Sequence, residues 1–195
     1  MVNIYIEEIP PIFLCCDTLL TAADIASASR FQHEGRRAEH LAWRRIVRRE
    51  LGIGTTIEYN DVGAPTVDTP SRYISVAHTK GLVAVAIADR AVGIDIELLE
   101  RDFEAVKQRF MSDTEIAIQP QSNLWPAMVW TAKEALYKLY GKREMTLNKD
   151  FSIIDFDETE RRMRAYLADG RYASVEISIK DDRSLVAVAT YEDTL

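Results

Sequence analysis

The chain has 195 residues, 47% hydrophobic and 28% charged, with a net charge of −7. This is the make-up of a globular protein with room for one substantial core or two small joined ones, and it excludes a disordered chain or a repeat array. Apolar runs no longer than a strand, such as Leu82 to Ala88, argue against a membrane helix, and a pI near 5.1 argues against nucleic acid as a partner.

The opening segment MVNIYIEEIPP has no basic stretch followed by an apolar one, so it reads as a strand from Val2 to Ile6 rather than an export signal, and a cytoplasmic protein is expected. Cys15 and Cys16 are adjacent in IFLCC, where a disulfide would be strained and a metal would lack partners, so buried reduced thiols are expected. Thr21 is a plausible N-cap for AADIASASRF. A second helix should run from about Glu34 to Leu51, ended by Gly52 and Gly54.

That second helix is basic. From Arg30 to Glu50 the chain holds seven arginines against three acids, on a protein otherwise strongly acidic. Such a helix suits a phosphorylated ligand or an acidic partner, and equally a solvated face with internal ion pairs such as Arg36 with Glu39. Arg37, His40 and Arg44, at i, i+3 and i+7, form one polar stripe on it.

A short strand at Ile57 to Tyr59 follows, then YISVAHTKGLVAVA from Tyr73 to Ala86, which reads as a hairpin. The later stretch YASVEISIKDDRSLVAVA, Tyr172 to Ala189, shares its Tyr-x-Ser-Val and Leu-Val-Ala-Val-Ala, with a longer turn. Each hairpin is preceded by helical material: in the second half DFEAVKQRF, SDTEIAIQ with a Ser112–Glu115 capping box, and a long helix near Leu124 to Tyr140 that stops at Gly141. With a strand at Phe151 to Asp155, the pattern is α+β: two similar half-domains, 1–98 and 99–195, in a pseudo-twofold arrangement, each with helices on a small antiparallel sheet.

Between the halves stands VGIDIELLE, Val92 to Glu100. In a strand, Ile94 and Ile96 enter a core while Asp95 and Glu97 leave together on the other face, their Cβ atoms roughly 6 to 7 Å apart and able to lean onto one cation. The same alternation is also what any half-exposed strand shows. On the helix NLWPAMVWTAKEALYKLYG, Met128, Ala132, Ala135, Leu136 and Leu139 form one apolar stripe, with Trp130 and Tyr137 nearly opposite beside Glu134 and Lys138. A helix covered on two sides fits a place between half-domains, with Glu134 and Lys138 opening into the groove; a surface ion pair four residues apart has the same spacing.

Together these two stretches resemble the 4'-phosphopantetheinyl transferase superfamily. Gly93, Asp95 and Glu97 match its Gly-apolar-Asp-apolar-Glu strand, and Trp130, Thr131, Lys133, Glu134, Ala135 and Lys138 its helix motif. The arginine-rich helix, Gly63-Ala64-Pro65, SVAHT and RFMSDTE are similar to further family segments. The resemblance implies a monomer of the larger, two-half type that transfers 4'-phosphopantetheine from coenzyme A to a serine of an acidic acyl or peptidyl carrier protein, leaving adenosine 3',5'-bisphosphate. It implies Asp95, Glu97 and Glu134 as ligands of Mg²⁺ or Mn²⁺, oxygen donors of the kind a hard cation accepts. Lys133 and Lys138 would hold phosphate, Glu115 or a metal-linked water would take the serine proton, His78 would touch the nucleotide, and Arg37, His40 and Arg44 would receive the 3'-phosphate.

The sequence departs from the family pattern at Ala64, where a lysine is usual, at Ala77, where a serine is usual, and at Glu34, a basic position. Altered coenzyme A contacts are therefore expected. The competing expectation is a non-catalytic module that binds coenzyme A or a carrier protein. A different Mg²⁺-dependent phosphotransferase is disfavoured by the absence of a GxxxxGK[ST] loop.

Overall fold

The structure, a computed structural model, describes residues 1–12, 18–120 and 122–193; Cys15 and Cys16, expected as buried thiols, lie outside them. In chain order the elements are β1 (Val2–Glu8), α1 (Ala22–Ala28), α2 (Glu34–Leu51), β2 (Ile57–Tyr59), β3 (Pro65–Val67), β4 (Tyr73–Thr79), β5 (Leu82–Ala88) and β6 (Val92–Leu98). There follow a 3-10 turn (Glu104–Arg109), α3 (Asp113–Ala117), α4 (Trp125–Tyr140), α5 (Leu147–Asp150), β7 (Phe151–Asp157), β8 (Arg162–Leu167), β9 (Tyr172–Lys180) and β10 (Ser184–Tyr191).

The α+β class is as expected, and the two larger sheets begin with the same pattern of pairing. One antiparallel sheet runs β1-β5-β4, the other β6-β10-β9-β8-β7, so each opens with the half's first strand paired to the second strand of its hairpin. β6, counted with the first half in the division at residue 98, is thus the leading strand of the second sheet. β2 and β3 form a separate ribbon.

Alternation decides what each strand touches. Val83, Val85 and Ile87 of β5 pack on Trp43, Ile46 and Val47 of α2, while Ala84, Ala86 and Ala88 turn to a seam with Ile94 and Ile96 of β6 and Val186 and Val188 of β10. The small alanines let the two sheets come close there. On its other face the second sheet meets α4, whose Val129, Ala132, Ala135 and Leu136 are fully buried with Leu185, Ala187 and Ala189 of β10.

The caps are those the sequence announces. Thr21 and Asp24 close a capping box on α1, as do Ser112 and Glu115 on α3. Helix α4 ends at Gly141, whose φ of 64° is left-handed. No helix among the described residues is long and apolar enough to cross a membrane.

Candidate active site

The site begins with a glycine. An added Cβ at Gly93 would lie 1.9 Å from the carbonyl oxygen of Ala135 and 2.7 Å from the backbone nitrogen of Leu139. Only a residue without a side chain lets β6 touch the α4 backbone, and Ala187 and Ala189, paired with Asp95 and Gly93 on β10, keep the surroundings equally small. Because the strand and helix meet there, the side chains following Gly93 on the same face are driven against α4.

Those side chains are Asp95 and Glu97. As expected, they leave the face opposite Ile94 and Ile96, but the face is roofed by α4, so they are only 7% and 9% exposed. Lys138 Nζ donates to Asp95 Oδ1 (2.8 Å) and to the carbonyl of Ile94 (2.9 Å). Asp95 Oδ2 is buried with no hydrogen-bond partner. Burial pushes the Asp95 carboxyl up to about 6 against the pull of Lys138, and the negative charges of Glu134 and Glu97 add to the push. Burial also raises Glu134, with Lys138 opposing and Glu97 reinforcing. Asp95, Glu97, Glu134 and Lys138 therefore share one electrostatic cluster, as the motif spacing predicts.

Glu97 is held by groups that the sequence reading did not assign to it. Its Oε1 accepts from the Trp130 indole N–H (2.9 Å) and from Arg101 (2.5 Å). The guanidinium of Arg101 lies 4.6 Å from the Phe103 ring centre and 5.3 Å from that of Trp130. The available signal was a lone arginine four residues past Glu97, just beyond the strand end.

Lys133 and Glu115 are not brought to this groove. Both side chains are 0% exposed and face each other at 2.7 Å. Lys133 Nζ also donates to the carbonyl of Phe110 (2.7 Å), while Glu115 accepts from the backbone N–H of Ser112 (2.7 Å) and of Ile153 (2.8 Å). Every strong acceptor site of Glu115 thus serves the α3 cap, β7 or Lys133. The expectations of phosphate binding by Lys133 and of proton abstraction by Glu115 are replaced by a buried pair that fastens α3 and β7 to α4.

The basic stripe of α2 is likewise turned inward, because α1 docks on it. Arg44 pairs with Asp24 (2.8 Å) and lies over Trp43, and Arg48 shares the same carboxylate. Burial works against ionisation of Asp24, but hydrogen bonds from Arg48, Thr21 and Arg44 outweigh it and hold the carboxyl well below its ordinary range. His40 is 6% exposed, its Nε2 3.0 Å from Ser27 Oγ, and burial, helped by Arg44, lowers it to about 4. Arg37 is half-buried and donates back to the carbonyl of Phe31 (2.7 Å). These three do not form an open phosphate site.

His78 does reach the site's rim. Its Nε2 is 3.0 Å from Arg36 Nη1 and its Nδ1 3.7 Å from Glu39, and burial lowers its pKa, with the charges of Glu39, Arg36, Lys138 and Glu97 all acting on it. Next to Lys138 is a cavity of about 240 Å³ lined by Gly63, Ala64, Pro65, Val76, Tyr137 and Lys142. The turn at Ala64 therefore borders Lys138, and Lys142 supplies a cation to the same cavity.

Among the described residues no three His, Cys, Asp or Glu side chains are already gathered as a cation's ligand set. Two carboxylates of the cluster instead face resident cations, Lys138 and Arg101. The donor chemistry still fits a hard divalent ion: Asp95 keeps a buried oxygen without a partner, Glu134 has no hydrogen bond among the described residues, and both hold their protons too tightly for isolated carboxylates. A family model described as 4'-phosphopantetheinyl transferase superfamily matches residues 91–189. That span holds β6, α3 and α4 with Asp95, Glu97, Glu115, Lys133, Glu134 and Lys138, but not α2 or His78. No match is found among curated proteins.

Proposed function

The chain belongs to the 4'-phosphopantetheinyl transferase superfamily, and from that premise we propose that it transfers 4'-phosphopantetheine from coenzyme A to a serine of an apo acyl or peptidyl carrier protein, releasing adenosine 3',5'-bisphosphate. The observation that carries the reading is the junction of β6 and α4, where Asp95, Glu97, Glu134 and Lys138 share one cluster and one carboxylate oxygen is buried without a partner. Asp95 and Glu134, with Glu97, would hold Mg²⁺ or Mn²⁺. Such an ion supplies charge neutralisation on a diphosphate.

The remaining roles fall to the chain itself. Lys138 can exchange Asp95 for a phosphate oxygen, since its side chain is 27% exposed and borders the cavity lined by Ala64 and Lys142. The nucleotide end of coenzyme A lies in that cavity, with Lys142 substituting for the lysine missing at Ala64. His78, with Arg36 beside it, stands within the field of Lys138 and Glu97. The carrier serine oxygen attacks the β-phosphorus in line, a P–O bond forms as the bond to the bisphosphate breaks, and the serine proton passes to water in the groove, Glu134 being kept for the cation. Lys133 and Glu115 act only by holding α4 in place. The protein works as a monomer, both halves coming from one chain.

Incubation with coenzyme A, Mg²⁺ and a panel of apo carrier proteins tests this by mass spectrometry. One phosphopantetheine should appear on a serine of at least one carrier. Binding of coenzyme A with no carrier gaining mass would overturn transfer and leave a binding module in its place.

A further inference from the structure

Arg101 stands in the acidic cluster in a way that the transfer chemistry does not require. Its guanidinium donates to Glu97 Oε1 at 2.5 Å although the Trp130 indole already donates to the same oxygen at 2.9 Å. The neutral indole suffices to orient the carboxylate; what Arg101 adds is charge. Its position is fixed without loss of access: the plane is stacked near Phe103 and Trp130, whose own ring centres are 5.8 Å apart, while the side chain stays 50% exposed. Its field also reaches Glu134, whose raised pKa it opposes.

We infer that Arg101 is a resident counter-ion of the carboxylate cluster that a divalent cation must work against, so that it sets the affinity of this chain for the ion. A positive charge within a few ångströms of Glu97 stabilises the cation-free cluster and repels an incoming cation. At the effective dielectric of a half-exposed site that repulsion is worth about three- to tenfold in a dissociation constant. The exposure of Arg101 lets it swing toward solvent about its aromatic seat when the ion arrives. The inference rests on the cation reading of the site proposed above.

The test is direct binding of Mn²⁺ alone to the whole protein, followed by electron paramagnetic resonance of the free ion, for wild type, Arg101→Gln and Arg101→Lys. Arg101→Gln should bind three- to tenfold more tightly, and Arg101→Lys, which keeps the charge, should stay near wild type. As a second readout, Arg101→Gln should melt lower than wild type in chelator and gain more in Tm at saturating Mn²⁺. Equal binding by Arg101→Gln and wild type would overturn the inference while leaving the cation site intact. Weaker binding by Arg101→Gln would also overturn it, showing that the guanidinium positions Glu97 for the ion. If no form binds Mn²⁺, this inference and the cation reading fall together.

Discussion

Asp95 carries an electrostatic cost in the cation-free chain that can be measured. Its folded pKa, about 6, lies above the ordinary 3.8, so between those values the folded state holds more protons than the unfolded one. Stability from this group is therefore full below pH 3.8 and is lost as pH rises through 6, a penalty of up to ~3 kcal/mol at neutral pH. In chelator, Asp95→Asn should raise the urea midpoint at pH 8 and leave it nearly unchanged at pH 4. A variant less stable than wild type at pH 8 would mean that the contact with Lys138 outweighs burial. His40 has the opposite sign. Lowered to about 4, it contributes stability that is lost as pH falls below 6.5.

Lys133 and Glu115 make the sharpest separation between motif and mechanism. Removing one member of a fully buried pair leaves an uncompensated charge, so Lys133→Met should cost ~3–5 kcal/mol in chemical denaturation. Adding Glu115→Gln should recover part of that loss, and the double variant, where folded, should retain affinity for coenzyme A. A single variant that keeps its stability but loses coenzyme A would return Lys133 to the phosphate.

At the level of elements, the junction of β6 with α4 is decided by backbone proximity. Gly93→Ala places a Cβ 1.9 Å from a main-chain oxygen that cannot rotate away, so it should destabilise by upwards of ~3 kcal/mol and separate Asp95 from Lys138. Calorimetry checks the first effect. An unperturbed Tm would show that the helix can shift freely.

Both elements were legible in the sequence, because Ile94 and Ile96 alternate with acids at a strand's period and the stripe from Met128 to Leu139 keeps a helix's period up to Gly141. What lies over the acids was not legible, since a period of two distinguishes two faces without saying that α4 covers the second. The burial of the polar stripe of α2 was not legible for the same reason. Spacing places Arg37, His40 and Arg44 on one side, but only the docking of α1 and the buried Asp24 turns Arg44 inward. Strand β8 was not legible: Met163, Ala165 and Leu167 alternate with exposed residues, but its short, arginine-bearing sequence resembles a loop in composition.

Across the whole molecule, the family match covers the second half, while the first half contributes β4 with His78, the turn at Ala64 and the cavity wall facing Lys138. Coenzyme A recognition should therefore depend on cavity cations rather than on Arg37, His40 and Arg44. Lys142→Ala should weaken coenzyme A more than dephospho-coenzyme A and flatten the salt dependence that separates them, as measured by calorimetric titration. An equal loss for both ligands would move the 3'-phosphate elsewhere.

In the proposed function the carboxylates at the meeting of β6 and α4 serve transfer rather than support of the fold. The most direct measurement is carrier loading by Asp95→Asn and Glu134→Gln beside wild type, each shown to be folded by its melting curve. Wild type should load phosphopantetheine on the carrier serine in Mg²⁺, while both variants should melt at or above the wild-type temperature in chelator and load at least a hundredfold more slowly, as expected for loss of a principal cation ligand. Folded variants that load the carrier at the wild-type rate would contradict it.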